Sequence, residues 1–401
     1  MKKIMILGAS ILQVPAIKKA KEMGFQVIAV DKDINAVGFE FADIKLVIST
    51  IDTPRVLEAA KKYQIDSIMT VASDLPMRTV AKVAQKLSLK SISIETSMIA
   101  TNKGLMRDCL KDNSVPIPYF TRVGGYDDFL KSVLYFNGKV ITKPADNSGS
   151  RGVYLIDNKS DSNIEFAFNY AKENSRNGEI LIEEFMEGPE VSVESISIDG
   201  KVNIIAITDK LTTGAPGFVE MGHSQPSMLN REIKKEIEII TRKAIQAIGL
   251  NDGPAHTEII ITNEGPKIVE IGARLGGDNI SSHLVPLSTG IDMIKACIEI
   301  ASGEAPVIKK KLSKGSAIRY IKAPKGKIKE IQGINKATKI NGVNKVVLLK
   351  NVGEYSVNIE SSLDRIGYII AQASDVEKAI KICEEAINSI FISVENQVEH
   401  Q

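Results

Sequence analysis

The sequence predicts an α/β chain that turns α+β toward its C-terminal end. Three observations carry that expectation. Strand and helix patterns alternate through Leu87, which calls for a parallel sheet with right-handed crossovers. A Gly/Ser-rich turn between two strands follows Lys143, and a β-hairpin with facing acids occupies Glu258–Glu270. From about Ala305 the pattern changes to short strands and one closing helix.

The composition sets the bounds. A chain of 401 residues can hold two or three domains and a large core. Its 43% hydrophobic and 25% charged content is ordinary for a globular protein. A net charge of +2 and the absence of Trp supply neither the field nor the stacking platform that nucleic acid needs. Cys109, Cys297 and Cys383 make neither a disulfide framework nor a zinc site, which fits a reducing cytoplasm. Met1-Lys-Lys and the apolar run to Leu12 imitate a signal peptide, but Gly8, Ser10, Gln13 and Pro15 break the run. No apolar stretch approaches the ~20 residues that span a membrane.

In chain order, Lys3–Leu7 reads as a buried strand, Val14–Met23 as a helix stopped by Gly24, and Phe25–Val30 as a strand. Strand Ile44–Ser49, helix Thr53–Tyr63, strand Ile65–Thr70 and helix Leu75–Leu87 complete the alternation. Asp31 lies about twenty residues past the Gly8 turn, yet the Gly-x-Gly-x-x-Gly fingerprint is absent, so a dinucleotide is not expected. Ser73 and Asp74 follow a parallel strand at the end where open α/β sheets bind ligands, and either substrate contact or a turn role suits them. Asn102-Lys103 opens another helix, and Val115-Pro-Ile-Pro-Tyr119 is a stiff link.

After a helix near Tyr126–Leu134 and the strand Lys139–Lys143, the loop Asp146-Asn-Ser-Gly-Ser-Arg-Gly152 can wrap phosphates with backbone N–H groups and hydroxyls. It is not a Walker A loop. Strand Leu181–Phe185 carries Glu183 and Glu184, and Glu190 follows a Gly-Pro turn before strand Val191–Ile198. Phe218, Glu220 and His223 fall in a Gly/Thr/Pro-rich loop, and Arg231–Ile248 is an amphipathic helix. In the hairpin, an odd loop would place Glu258 across from Glu270, with Ile260, Ile268 and Gly272 on their face and Ile259, Ile261, Val269 and Ile271 on the other. Facing carboxylates call for a cation, and hard oxygen donors suit Mg²⁺; a solvated face is the bland alternative.

Together, Asn102-Lys103, Lys143-Pro-Ala-Asp-Asn-Ser-Gly-Ser-Arg-Gly152, Glu183-Glu-Phe-Met-Glu-Gly-Pro-Glu190, His256-Thr-Glu258 and Glu270-Ile-Gly-Ala-Arg274-Leu-Gly-Gly277 resemble the ATP-grasp superfamily over nearly the whole chain. The resemblance implies a Rossmann-like pre-grasp βα domain over 1–95 and a grasp domain over 96–304, with a mobile small lobe at about 116–187. A C-terminal α+β module over 305–401 would complete the large lobe. It implies ATP phosphates on Lys103 and Lys143 under the loop Ser148, Gly149, Ser150, Arg151 and Gly152. Adenine would border Glu183, Glu184, Phe185 and Met186, and ribose would meet Glu190. Glu258 and Glu270 would hold one or two Mg²⁺ ions, for which Mn²⁺ could substitute.

The family chemistry is carboxylate activation through an acyl phosphate, followed by displacement with an amine. Arg274 would stabilise the developing charge, and His256 would sit by metal and substrate or serve as a structural histidine. Ser73, Asp74, Glu220, His223, Gly276 and Gly277 are the expected substrate contacts. Within the superfamily the chain looks most like an amino-acid or peptide ligase. A phosphoribosylglycinamide-synthetase-like ligase comes second, and a non-catalytic nucleotide-binding protein is the alternative of another class. Small carboxylates and amines are the implied partners, with no nucleic acid or membrane, and dimers are common among similar enzymes. One position departs from the pattern: many members have Asn where this chain has Gly272, so a second metal would need water, substrate, Asp278 or Asn279.

Overall fold

The alternating N-terminal segments form one parallel sheet. Strands β1 (Lys3–Leu7), β2 (Gln26–Asp31), β3 (Ile44–Val47) and β4 (Ser67–Met69) lie in the order β3-β2-β1-β4. Helices α1 (Val14–Glu22) and α2 (Thr53–Tyr63) are the crossovers. The structure is a computed structural model and describes residues 1–147, 149–215 and 217–395. The expectations for Ser148 and for disorder at Asn396–Gln401 therefore lie outside the described residues. Parallel strands covered on both faces are apolar throughout, and Ile4–Leu7 and Val27–Val30 are accordingly buried. Asp31 accepts the backbone N–H of Ala9 at 2.8 Å, so it closes the first βα turn.

Helices α3 (Met77–Lys86), α4 (Ile94–Ala100) and α5 (Lys103–Asp112) follow. Asn102 caps α5 by accepting from the backbone N–H of Leu105 at 2.9 Å. That cap sets Lys103 at the start of the helix, with Arg107 one turn on and on the same face. A smaller antiparallel sheet comes next: β5 (Phe120–Val123), β6 (Val140–Pro144), β7 (Tyr154–Ile156) and β8 (Ile180–Glu184), in the order β5-β8-β6-β7. Helices α6 (Tyr126–Tyr135) and α7 (Asp161–Glu173) cover it through Phe129, Val133, Ile164 and Ala167.

The central sheet has eight antiparallel strands. Strands β9 (Glu190–Ile198), β10 (Lys201–Thr212), β11 (Glu220–Gln225), β12 (Gly253–Thr262) and β13 (Gly265–Gly272) form one half, with α8 (Arg231–Ala247) against it. The later strands are β14 (Gly315–Ile321), β15 (Gly326–Gln332), β16 (Val343–Leu348), β17 (Tyr355–Ser356), β18 (Gly367–Ala373) and β19 (Phe391–Glu395). The order β13-β12-β9-β10-β11-β14-β18-β16 makes β14, β18 and β16 continuous with the central sheet, while β17-β15-β19 form a separate three-stranded sheet. Glu220 and His223 thus stand on a strand, β11, and not in the loop expected for them. Among the described residues no helix is long and apolar enough to cross a membrane.

The hairpin corrects one expectation. Thr262 pairs with Gly265 around a two-residue turn, which alone would leave Glu258 opposite Val269. A bulge between Glu258 and Ile259 shifts the register, so Glu258 does face Glu270. The same bulge turns Ile268 into the core beside Ile259 and Ile271, and turns Val269 toward a cavity. Ile268 and Val269 therefore occupy the opposite faces from those predicted.

Candidate active site

A cavity of about 950 Å³ lies between the small sheet, the central sheet and the N-terminal sheet. One wall is cationic. Lys103 donates to the carbonyl of Asn147 at 2.7 Å and to Glu270 at 2.8 Å. Behind it, Arg107 forks onto Glu183 at 2.7 and 3.2 Å, and Lys143 reaches the same carboxylate at 2.6 Å. Burial opposes the charge on Glu183, but Arg107 and Lys143 together hold its pKa down to about 2. Lys143 is the under-compensated member of the trio. Burial depresses its pKa, and Arg107 and Lys103 push the same way against the pull of Glu183. An anion beside Lys143 would relieve that.

The opposite wall is acidic. Strand β9 projects Glu190, Ser192 and Glu194 from one face at period two, across from Ile260, Glu258 and His256 of β12. Lys210 of β10 is buried and joins Glu190, Glu258 at 3.2 Å and Glu220 at 3.7 Å. Despite burial, those three acids raise its pKa. Glu190 is the acid left over: burial raises its pKa, and Glu258 and Glu220 add to this against Lys210. Glu258 itself is held low against burial by Lys210 and His256. His256 bonds buried Glu194 at 2.5 Å through Nδ1 and approaches Glu258 at 3.5 Å through Nε2. Burial disfavours its charge, yet Glu194 lifts its pKa to about 9. A Cβ at residue 276 would come within 2.8 Å of both Glu194 and His256, so Gly276 leaves room for that pair.

At the far end, Asp278 sits in the left-handed region (φ 49) and is gripped by Arg365 at 3.1 and 3.0 Å. Arg365 also reaches Glu220 at 3.5 Å and lies over the Tyr320 ring, 3.8 Å from its centroid. His223 Nε2 is 3.4 Å from Asp278. Beside the hairpin, Arg274 binds both carboxylate oxygens of Asp74, at 3.0 and 3.1 Å.

Two facing carboxylates fit a hard divalent ion, because Mg²⁺ is usually held by one or two carboxylates together with phosphate oxygens and water. Among the described residues no group of three or more His, Cys, Asp or Glu forms a protein-only metal cage. Two carboxylates suit an ion that brings phosphate and water as its other ligands.

Residues 136–282 match the family described as an ATP-grasp domain, and residues 319–395 match the L-amino acid ligase C-terminal domain 2. The chain carries an ATP-grasp domain. Alanine–anticapsin ligase of Bacillus subtilis (strain 168) is 28% identical over 61% of this chain, which spans just over half (56%) of that relative's length. Phosphoribosylamine–glycine ligase of Methanococcus maripaludis is 25% identical over 85% of this chain and 83% of its own. The solved L-amino acid ligase of Bacillus licheniformis superposes with a TM-score of 0.84 at 21% identity, over 99% of each chain, which establishes the fold.

One cavity gathers most of the expected site residues, from inside and outside the matched segment. Lys103, Lys143, Gly149, Ser150, Arg151, Glu183, Glu184, Phe185, Met186, Glu190, His256, Glu258, Glu270 and Arg274 line it, as do Ser73, Asp74, Glu220, His223 and Gly277. Gly152 and Gly276 are not among the lining residues. Glu183 is committed to Arg107 and Lys143, Glu184 to Lys267 at 2.8 Å, and Asp278 to Arg365, so Asp278 is not a spare metal ligand. Sequence reasoning missed Arg107, Glu194, Lys210 and Arg365. Arg107 was legible as the i+4 neighbour of Lys103, and Glu194 as part of the Glu190-x-Ser192-x-Glu194 alternation. Lys210 and Arg365 had no local signal, since strands distant in sequence bring them in.

Proposed function

We propose that this chain is an ATP- and Mg²⁺-dependent ligase that activates a carboxylate as an acyl phosphate and joins it to an amine, the substrates being amino acids or peptides. The observation that carries the reading is the polarity of this cavity, with surplus cation on one wall and surplus acid on the other. Lys103 and Lys143 take the ATP phosphates, with Gly149–Gly152 closing over them. Phe185 and Met186 border the adenine, and Glu190 accepts from ribose hydroxyls. Glu258 and Glu270 hold the magnesium, which when bound would neutralise phosphate charge.

A substrate carboxylate oxygen attacks the γ-phosphorus as the bond to the ADP oxygen breaks. The amine nitrogen then attacks the acyl carbon and loses a proton, and phosphate leaves with the carboxylate's oxygen. Such transfer depends on positioning and charge more than on covalent help from the protein, and Arg274 supplies fixed positive charge at the hairpin. Glu220 faces the far end, where its contacts to Lys210 at 3.7 Å and Arg365 at 3.5 Å are both long. An ammonium group suits that end, which favours amino-acid substrates.

Free thiols at Cys109, Cys297 and Cys383 agree with a cytoplasmic setting, and a homodimer belongs to the same reading. A phosphoribosylglycinamide-synthetase-like activity is the second reading, drawn from the similarity along 85% of the chain. ADP release from Mg·ATP with a panel of carboxylates and amines, with products identified by mass, separates the two. Release that requires both an amino acid and a second amine supports the first reading; product formed from a phosphoribosyl amine supports the second. Tight ATP binding without turnover across the panel sinks both.

A further inference from the structure

Position 272 has no side chain, and its surroundings indicate what takes the place of one. A Cβ built on Gly272 would lie 3.0 Å from Asp74 Oδ1, 3.1 Å from Arg274 Cζ and 3.2 Å from Arg274 Nε. Those distances are tighter than ordinary van der Waals contact, so a side chain there would require the ion pair to shift by a few tenths of an ångström. Gly272 is not among the positive-φ residues, so the backbone does not demand glycine. Space is what the glycine provides. It stands directly across from His256 and two residues after Glu270, at the point where a larger residue would project toward the facing acids.

The pair that fills this space joins two parts of the molecule. Asp74 follows β4, in the loop where Ala72 takes a left-handed φ of 57°. Arg274 follows β13. Their contact is bidentate, at 3.0 and 3.1 Å, and Arg274 also donates to the carbonyl of Leu275 at 3.3 Å. A two-point carboxylate–guanidinium fork fixes the plane of the guanidinium as well as its position. Glu258 and Glu270 lie close enough to contribute to the charge environment of Arg274.

We propose that Asp74 is a positioning residue of this site. It holds the Arg274 guanidinium beside Glu258 and Glu270, in space that exists because residue 272 is glycine. The inference rests on the ligase reading and assigns Asp74 a role through Arg274 in place of the expected substrate contact.

The test compares Gly272→Ala, Asp74→Asn and Asp74→Glu with the unaltered protein. Calorimetry measures binding of Mg·ADP alone and of Mg·ADP with aluminium fluoride, which mimics a phosphoryl group in transfer. Gly272→Ala and Asp74→Asn are expected to bind Mg·ADP about as the unaltered protein does. Both should lose about tenfold or more of the extra affinity contributed by aluminium fluoride, since small misplacements of a reacting group are costly. The value of kcat should fall in parallel with KM for ATP retained, and Asp74→Glu should recover part of the loss. Full fluoroaluminate affinity and kcat in both variants would overturn the proposal. If Asp74→Asn does not fold, Gly272→Ala, which keeps both charges, decides alone. An unaltered protein that binds no Mg·ADP removes the ligase reading and this proposal with it.

Discussion

The two walls of the cavity are built on opposite electrostatic plans. On the side of α5 and the small sheet, Arg107 and Lys143 share the single carboxylate of Glu183, and Lys143 is left short of negative charge. On the central sheet, Glu190, Glu220 and Glu258 share Lys210, and Glu190 is left short of positive charge. Lys103–Glu270 is the bridge between them. A cavity with leftover cation on one side and leftover acid on the other is prepared for a ligand that carries both, such as a phosphate chain with its metal and an ammonium. The difference also separates two kinds of buried charge: pairs that hold the protein together, such as Arg107–Glu183, and residues kept under-compensated until a ligand arrives.

That distinction can be broken or sharpened by substitution. The largest effect is expected at the bridge. Glu270→Gln should lower kcat on the order of a thousandfold, the scale on which electrostatic contacts to a transferring group act, with the melting temperature little changed. Steady-state rates like those of the unaltered protein would remove the metal assignment.

Next in size is Glu183→Gln, which leaves Arg107 and Lys143 buried without their carboxylate and should cost about 3–5 kcal/mol of stability in denaturant titrations. The same group sets an acid limit. Its pKa is lowered in the fold from a usual 4.5 to about 2, so its contribution is fully present above pH 4.5 and is lost as pH falls toward 2. That contribution is about 3 kcal/mol. Stability measured across that window should decline in the unaltered protein and decline less in Glu183→Gln.

Glu220→Gln should weaken the amino-acid substrate by about 2 kcal/mol, the value of a hydrogen bond to a charged group, and raise its KM without moving that of ATP. A shift in KM for ATP instead would place the nucleotide, and not the ammonium, at the far end. Lys143→Met should have the smallest effect, a rise in KM for ATP on the order of tenfold, each tenfold being about 1.4 kcal/mol. Stability should hold because Arg107 still satisfies Glu183. A large loss of stability in this variant would mean that Lys143 belongs with the structural pairs.

Much of the fold was legible because the N-terminal strands and helices follow their periodicity. Lys3–Leu7 and Thr53–Tyr63 fall where the pattern puts them. The hairpin was legible in part: the facing of Glu258 and Glu270 followed from spacing, but it depends on a bulge for which no residue in the stretch is a signal. Strand β11 was read as a loop because Glu220-Met-Gly-His-Ser-Gln has little β-branched content. It is held between β10 and β14 by contacts distant in sequence. Arg365 was hidden for the same reason, since 87 residues separate it from Asp278. Local chemistry marks what a strand carries, whereas sheet order decides which charges meet.

The central claim is that a carboxylate oxygen attacks phosphorus and later leaves with it. Turnover of a carboxylate substrate labelled with heavy oxygen, followed by mass analysis of the released phosphate, tests this most directly. The account predicts one labelled oxygen in each phosphate, formed only when both carboxylate and amine are present. Unlabelled phosphate from a productive reaction would contradict it, because activation would then proceed without a bond between the carboxylate and the γ-phosphate.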